Sequence, residues 1–386
     1  MQSYKISTEW FLQPSQNRII AQPLGIIGIM SPWNFPFLLS IAPLISAIAA
    51  GNQIMLKPSE YTPSTNQMIK KLIHLTFKEN TVSMIEGDAD IGNQFSLLPF
   101  DHLFFTGSIP VGKIIMANAA QNLTPVTLEL GGKSPAIIDN EIDIHDAVGR
   151  LIWGKSVNSG QICIAPDYVF IHHSRVDEFI ASYHQQFQSM YPNALKNNNY
   201  TALINEKQYH RMQILLEDAK EKGAKLHPVN SIYQCDKTHK VLPILISNVT
   251  TDMRVIDENE EIFGPLLPIM TYDRIDEAIH FIAQRAKPLT LYLFSYDKKT
   301  QEKIIYQTHS GSICINDAIT QIASEYLPFG GTKESGMGQY HGIYGFNLFS
   351  HNKPIVKKYR SFYTSSIIHA PYRHPLYRMF KKLLLK

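Results

Sequence analysis

The chain predicts an α/β protein with two parallel-sheet regions in tandem, and three observations carry that expectation. Short apolar strands alternate with helical stretches from residue 26 to 139, and the alternation resumes from about 134 to 331. Polar and Gly-rich strings fall at the strand ends, where open parallel sheets bind ligands. The 386 residues, 44% of them hydrophobic, are enough for two cores.

In the first region, 26–30 reads as a strand and 37–50 as a buried helix, with Gly51 as its stop. Residues 54–57 form the next strand. A helix over 65–77 follows, with Met68, Leu72, Ile73 and Phe77 at helical spacing. Strand 82–85, a short helix near 91–95, strand 102–106, helix 111–122 and strands 126–130 and 136–139 complete the series. The second region repeats the pattern at 168–171, 176–190, 209–222, 266–271, 275–286, 290–295 and 303–308. The Lys-Asn-Asn-Asn run makes 193–200 an exposed loop.

Composition narrows the function classes. Three widely spaced cysteines, at 163, 235 and 314, do not make a disulfide framework, so a reducing, cytoplasmic setting is expected. The first twenty residues lack a signal-peptide pattern. The apolar stretch 19–50 is broken by Pro23, Pro32, Pro36 and Pro43, so no run approaches the ~20 residues needed to cross a bilayer. The net charge of +3 is unevenly spread: residues 335–386 hold nine Lys or Arg and no Asp or Glu, which leaves the body acidic. Nucleic acid is therefore not indicated as a partner. The end of the tail, 377–386, is basic and apolar together, which suits peripheral contact with an anionic membrane or a solvated terminus.

Two strings carry most of the chemistry. Cys163 stands in Gly160-Gln161-Ile162-Cys163-Ile164-Ala165-Pro166, and Glu129 in Leu128-Glu129-Leu130-Gly131-Gly132-Lys133. A thiolate attacks a carbonyl carbon, and a carboxylate takes the proton from thiol or water. Either residue alone reads as a buried small hydrophobe or a plain strand end. Gly107-Ser108-Ile109-Pro110-Val111-Gly112-Lys113, between a strand and a helix, suits a phosphate at a helix N-terminus. Ile114 stands where a nucleotide-triphosphate loop needs a Mg²⁺-binding hydroxyl, which argues against an ATPase. Asn34, in Pro32-Trp33-Asn34-Phe35-Pro36, reads either as a cap for the next helix or as a donor to a developing oxyanion. Lys57 and Glu60 follow a strand end, within reach of ribose hydroxyls or in a solvated turn. Glu261 and Phe263 stand two residues apart, and a Gly-rich loop runs from 327 through Gly338. No metal site is expected.

In this order these strings resemble the aldehyde dehydrogenase superfamily. Segments 125–135, 160–168 and 327–342 are most similar to its class 3 branch and, within it, to bacterial coniferyl aldehyde dehydrogenases. The resemblance implies Cys163 as nucleophile, Asn34 with the Cys163 N–H as oxyanion site, and Glu129 as general base. It implies NAD as cofactor, with NADP as a second choice. Lys57 and Glu60 would hold the adenosine ribose, Gly107, Ser108 and Gly112 the pyrophosphate, and Glu261 with Phe263 the nicotinamide ribose. The expected substrate is an aromatic aldehyde or a medium-to-long aliphatic one. Tyr4, Trp10, Phe11 and the loop 319–326 are candidates for its pocket.

The implied division is bridging strands over 1–22, an NAD-binding domain over 23–133, a catalytic domain over 134–335, returning strands over 336–364 and a basic tail over 365–386. The strands would build a homodimer. Family members carry helices before the region matching 4–23, and their absence predicts apolar surface left uncovered on the cofactor domain. That absence also supports a second reading, an inactive remnant that only dimerises or binds membrane. A reductase acting on activated acids fits less well, because Glu129 serves hydrolysis.

Overall fold

The computed structural model describes residues 3–9, 12–359, 370, 372 and 375–384. Two large sheets dominate it. The first has six strands in the order Gly336–Met337, Val126–Glu129, His102–Thr106, Ile26–Met30, Gln53–Lys57, Val82–Met84. All neighbours run parallel except Gly336–Met337, which is antiparallel to Val126–Glu129. The strands alternate with helices Pro36–Ala49, Pro63–Thr76, Ala89–Ser96 and Ile109–Ala120. Helix Pro36–Ala49 ends as expected: Gly51 takes φ +90°, and its N–H bonds the Ile48 carbonyl at 2.8 Å.

The second sheet has seven strands in the order Lys225–Pro228, Ile244–Ser247, Leu266–Tyr272, Tyr168–His172, Pro135–Ile138, Thr290–Phe294, Ser312–Ile315. Only Lys225–Pro228 is antiparallel to its neighbour. Strands wholly buried on both faces, such as Pro135–Ile138 and Thr290–Phe294, are the continuous apolar runs that a covered parallel sheet requires. One hydrophobic cluster joins Ile27, Ile29, Leu56 and Phe104 of the first sheet to Ala136, Ile138 and Val169 of the second. The strand ends therefore face a fixed partner.

Several elements go beyond the expected set. Helix Ile144–Ser156 buries Ile144, Ala147, Val148, Leu151 and Ile152 at helical spacing, and the Asp143 carboxylate caps its first turn. Strands Lys225–Pro228, Ile244–Ser247 and Ser312–Ile315 also lie outside the expected set. Segment 193–200 is irregular, but Ala194 and Tyr200 are buried, and the Tyr200 hydroxyl donates to the Val241 carbonyl at 3.0 Å. The expectation of a wholly exposed loop is corrected there: the aromatic ring anchors a segment whose neighbours are polar.

A three-stranded antiparallel sheet stands apart. Ser15–Pro23 lies between Ser3–Ile6 and Ser350–Lys358, the last pairing in register from Ser350 opposite Pro23 to Lys358 opposite Ser15. Helices Pro36–Ala49 and Pro63–Thr76 turn Phe37, Leu38, Ile45, Met68, Leu72 and Leu75 to the exterior. Pro375–Leu384 forms a helix near the end of the chain. Among the described residues, no helix is long and apolar enough to cross a membrane.

Candidate active site

Four predicted residues converge because they sit at the carboxyl ends of adjacent parallel strands. Register sets the alignment: Met30 pairs with Lys57 on one side and Phe105 on the other, and Thr106 pairs with Glu129. Asn34 lies on the loop after Ile26–Met30, Lys57 ends its strand, Gly107 follows His102–Thr106, and Glu129 ends Val126–Glu129.

Glu129 is 3% exposed, and neither carboxylate oxygen has a hydrogen-bond partner. Burial alone pushes its carboxyl well above the usual range. Its backbone is clamped from both sides: the carbonyl accepts from Gly107 N–H at 3.0 Å, and Gly336 of the Gly-rich loop pairs opposite it. A rigid backbone thus carries a side chain with no partner of its own.

Cys163 comes from the second sheet, on the loop between helix Ile144–Ser156 and strand Tyr168–His172. The thiol is free and half-buried. Burial raises its pKa, followed by the charges of Glu261 and Glu129. The Asn34 Nδ2 donates to the Gln161 carbonyl at 3.2 Å, two residues before the thiol. Phe35 is the residue that caps helix Pro36–Ala49, and it does so without a side-chain bond, so the capping reading of Asn34 gives way.

Glu261 lies against Gly131, where any Cβ would fall 2.0 Å from its Oε2, which leaves room only for glycine. Burial and then Asp167 raise its pKa to about 8, opposed by the Gly132 N–H, Lys133 and Arg211. Phe263 adopts φ +47° and meets the Trp33 ring edge-on at 5.4 Å. The Lys57 ammonium is buried and pairs with Glu60 at 3.4 Å. Ser108 caps helix Ile109–Ala120 with no side-chain bond, and the Thr106 hydroxyl just before it is buried without a partner. Gly112 lies one turn into that helix, where a Cβ would come 2.7 Å from Leu130. Its lack of a side chain serves helix–sheet packing.

Sequence reasoning passed over several residues that hold this arrangement. A buried ion pair, Lys133 with Asp167, joins the segment after Glu129 to the segment after Cys163. The same two residues hold the Glu261 segment: Lys133 Nζ donates to the Glu260 carbonyl at 3.2 Å, and Asp167 Oδ1 accepts from Ile262 N–H at 2.9 Å. Tyr340, 2% exposed, has its phenol pKa pushed up by burial, Glu129 and Cys163. Its place just past the Gly-rich loop was the available signal. Of the expected pocket residues, Tyr4 is 53% and Tyr326 92% exposed, so neither lines an enclosed cavity. Trp10 and Phe11 lie outside the described residues.

Residues 3–355 match the model of the aldehyde dehydrogenase family. The chain belongs to that family. It is accordingly an enzyme that oxidises aldehydes. It is 46% identical to a probable coniferyl aldehyde dehydrogenase of Pseudomonas aeruginosa over 97% of this chain and 77% of that one. The substrate-bound structure of Staphylococcus aureus AldH superposes with a TM-score of 0.91 at 40% identity, covering 100% of this chain and 82% of that one. An aldehyde dehydrogenase from Bacillus cereus, solved as an NAD⁺ complex, gives a TM-score of 0.84 at 28% identity, over 93% and 73% of the two chains. These matches give the inactive-remnant reading no support.

Proposed function

We propose that the chain oxidises an aromatic aldehyde such as coniferaldehyde, or a medium-to-long aliphatic one, to its carboxylic acid with NAD. The observation that carries this reading is the Glu129 carboxylate, buried with both oxygens unpartnered and electrostatically coupled to the Cys163 thiol. An unpaired buried carboxylate is costly to keep, so its persistence at a thiol argues for chemistry.

In the proposed mechanism Glu129 takes the Cys163 thiol proton and releases it to solvent, Cys163 Sγ bonds to the carbonyl carbon, and the C=O electron pair moves to oxygen. The Asn34 amide and the Cys163 N–H stabilise that oxyanion. A bound NAD would supply the hydride acceptor for oxidation of the hemithioacetal, and Cys163 then carries the acyl group as a thioester. Glu129 takes a proton from water as the water oxygen bonds to the thioester carbon. The C–S bond then breaks, the acid departs and Cys163 is restored.

The residues around the first sheet fit a dinucleotide. The free N–H groups of helix Ile109–Ala120 and the unpartnered Thr106 hydroxyl suit a pyrophosphate beside Gly107, Ser108 and Gly112. Lys57 and Glu60 suit the adenosine ribose, and Glu261 with Phe263 the nicotinamide ribose. Glu60 favours NAD because a carboxylate repels a 2′-phosphate. Lys57, 3.4 Å away, offsets part of that charge, so NADP is used less well. The NAD⁺ complex of the B. cereus enzyme supports the cofactor reading, and the coniferyl description of the P. aeruginosa relative supports the aromatic one.

The decisive experiment is NADH formation by the purified chain on coniferaldehyde, benzaldehyde, octanal and hexadecanal. Turnover should rank the substrates and fall to background in Cys163→Ser. Turnover surviving in that variant, or none from folded wild-type protein, would sink the proposal.

The assembly reading has its own supports. We assign 23–133 to cofactor binding and 134–335 to catalysis, with the outer sheet of Ser15–Pro23 and Ser350–Lys358 as the contact for a second copy. Light scattering should give a dimer mass. In helix Pro375–Leu384, Leu376, Met379 and Leu383 fall on one face and Arg378, Lys381 and Lys382 on the other, which suits an anionic bilayer surface. Co-sedimentation with anionic vesicles, lost on deleting 371–386, is the expected result. Three free thiols fit a cytoplasmic setting.

A further inference from the structure

We infer that Asn158 is a positioning residue for the oxyanion amide, its side chain binding the Asn34 loop and the Cys163 loop into one unit. The inference rests on the reading of Asn34 as oxyanion donor.

Asn158, Ser159 and Gly160 take φ values of 51°, 55° and 75°, three successive left-handed residues just before the nucleophile. Two of them pay the steric cost of a Cβ in that region. Neighbouring bonds over-determine the turn. Gln161 Nε2 donates to the Asn158 carbonyl at 2.9 Å and the Ala202 carbonyl at 3.1 Å, and Gln161 Oε1 accepts from Ile204 N–H at 3.0 Å. Ser159 Oγ donates to the Thr201 carbonyl at 2.8 Å.

The turn brings the Asn158 amide to two acceptors. Its Nδ2 donates to the Asn34 carbonyl at 3.0 Å and to the Gln161 carbonyl at 3.2 Å. A carbonyl oxygen has two lone pairs. The second on Gln161 takes the Asn34 Nδ2, also at 3.2 Å. Asn158 therefore holds the Asn34 backbone while sharing the acceptor that orients the Asn34 side chain. One N–H of the planar Asn34 amide is spent on Gln161, which fixes the orientation of the other relative to Cys163, two residues on.

The competing account is that asparagine is present only because it tolerates a left-handed backbone. Glycine tolerates that backbone equally but has no amide, so Asn158→Gly separates the two. Asn158→Asp, which keeps the shape and removes the donors, is the second variant. Steady-state kinetics with aldehyde and NAD, NAD affinity by fluorescence titration and thermal melts are measured on both, on Asn34→Ala and on the Asn158→Gly/Asn34→Ala double variant.

A displaced donor predicts a kcat loss of about 10–100-fold in both single Asn158 variants. NAD affinity should be unchanged, and the double variant should be no slower than Asn34→Ala. Wild-type kcat in either folded Asn158 variant would overturn the inference, as would losses that multiply in the double variant. If Asn34→Ala itself retains full kcat, the oxyanion reading fails first, and the inference falls with it by a separate, recognisable route.

Discussion

The strand end at Glu129 and the segment around Glu261 bring two carboxylates to one thiol, and they are held in opposite ways. Glu129 has a clamped backbone and a side chain with no partner. Glu261 is packed and electrostatically held: its side chain rests on Gly131, and the Gly132 N–H, Lys133 and Arg211 favour its charged form. Its own backbone carbonyl takes the Arg211 guanidinium at 3.0 Å. A base must exchange protons with whatever enters the site, so it is left without competing donors. A group that holds a ligand must keep its position, so it is fixed from several sides. The difference in partnering, more than burial or charge, separates the two roles we assign.

The largest effect that tests this contrast is Glu129→Gln. The amide keeps size and burial but cannot accept a proton, so kcat should fall about 10²–10⁴-fold with NAD affinity unchanged. A matching loss of NAD affinity would break the comparison, because Glu129 would then be a binding group as well.

Glu261→Gln should behave in the reverse sense. NAD binding should weaken about tenfold, as for a lost charge-assisted hydrogen bond. Cofactor-free, Cys163-dependent ester hydrolysis should continue at the wild-type rate. Ester hydrolysis that falls in parallel would erase the distinction.

The pH profiles sharpen the contrast. Both acids have raised pKa values, so each basic form appears only as pH rises. NAD affinity should increase through about pH 8 as Glu261 ionises. kcat/KM should keep an alkaline rising limb that Glu129→Gln removes, because the raised pKa of Glu129 sets it.

The smallest effect is on stability. A carboxyl whose pKa is raised by folding binds its proton more tightly in the native state. Its cost is absent below the unfolded value, near 4.5, and grows as pH rises through the folded value. Glu129→Gln should therefore melt a few degrees above wild type at pH 8 and level with it near pH 4. An equal melting temperature at both pH values would mean that the carboxylate finds a partner in solution.

Much of this site is legible in the chain because short strings at strand ends carry it. Asn34 and Lys57 stand directly beside an aromatic residue or a proline, and Glu129, Cys163 and Glu261 lie within three residues of a Gly, a Pro or an aromatic that marks a break in regular structure. Strand–helix alternation located the first sheet nearly complete but counted 136–139 in its series, whereas Pro135–Ile138 crosses into the second sheet between Tyr168–His172 and Thr290–Phe294. The second was read less fully: strands Ile244–Ser247 and Ser312–Ile315 lie outside the simple strand–helix alternation, Ile244–Ser247 coming just after two short hairpin strands, Gln234–Cys235 and Lys240–Val241. Helix Ile144–Ser156 was legible from its spacing and its Asp143 cap, and was passed over beside the stronger Cys163 string.

What the sequence by itself determined is the inventory: a thiol, carboxylates, an amide and Gly-rich strings in a fixed order along an α/β chain. Local chemistry and periodicity are properties of neighbours, so they survive in one dimension. Tertiary structure alone decided which of these groups keep partners. The Lys133–Asp167 pair joins residues 34 positions apart, and the amides of Asn34 and Asn158 share one carbonyl across more than 120 positions. A hydrogen bond depends on distance and angle in space, and that far along a chain only the folded core fixes either.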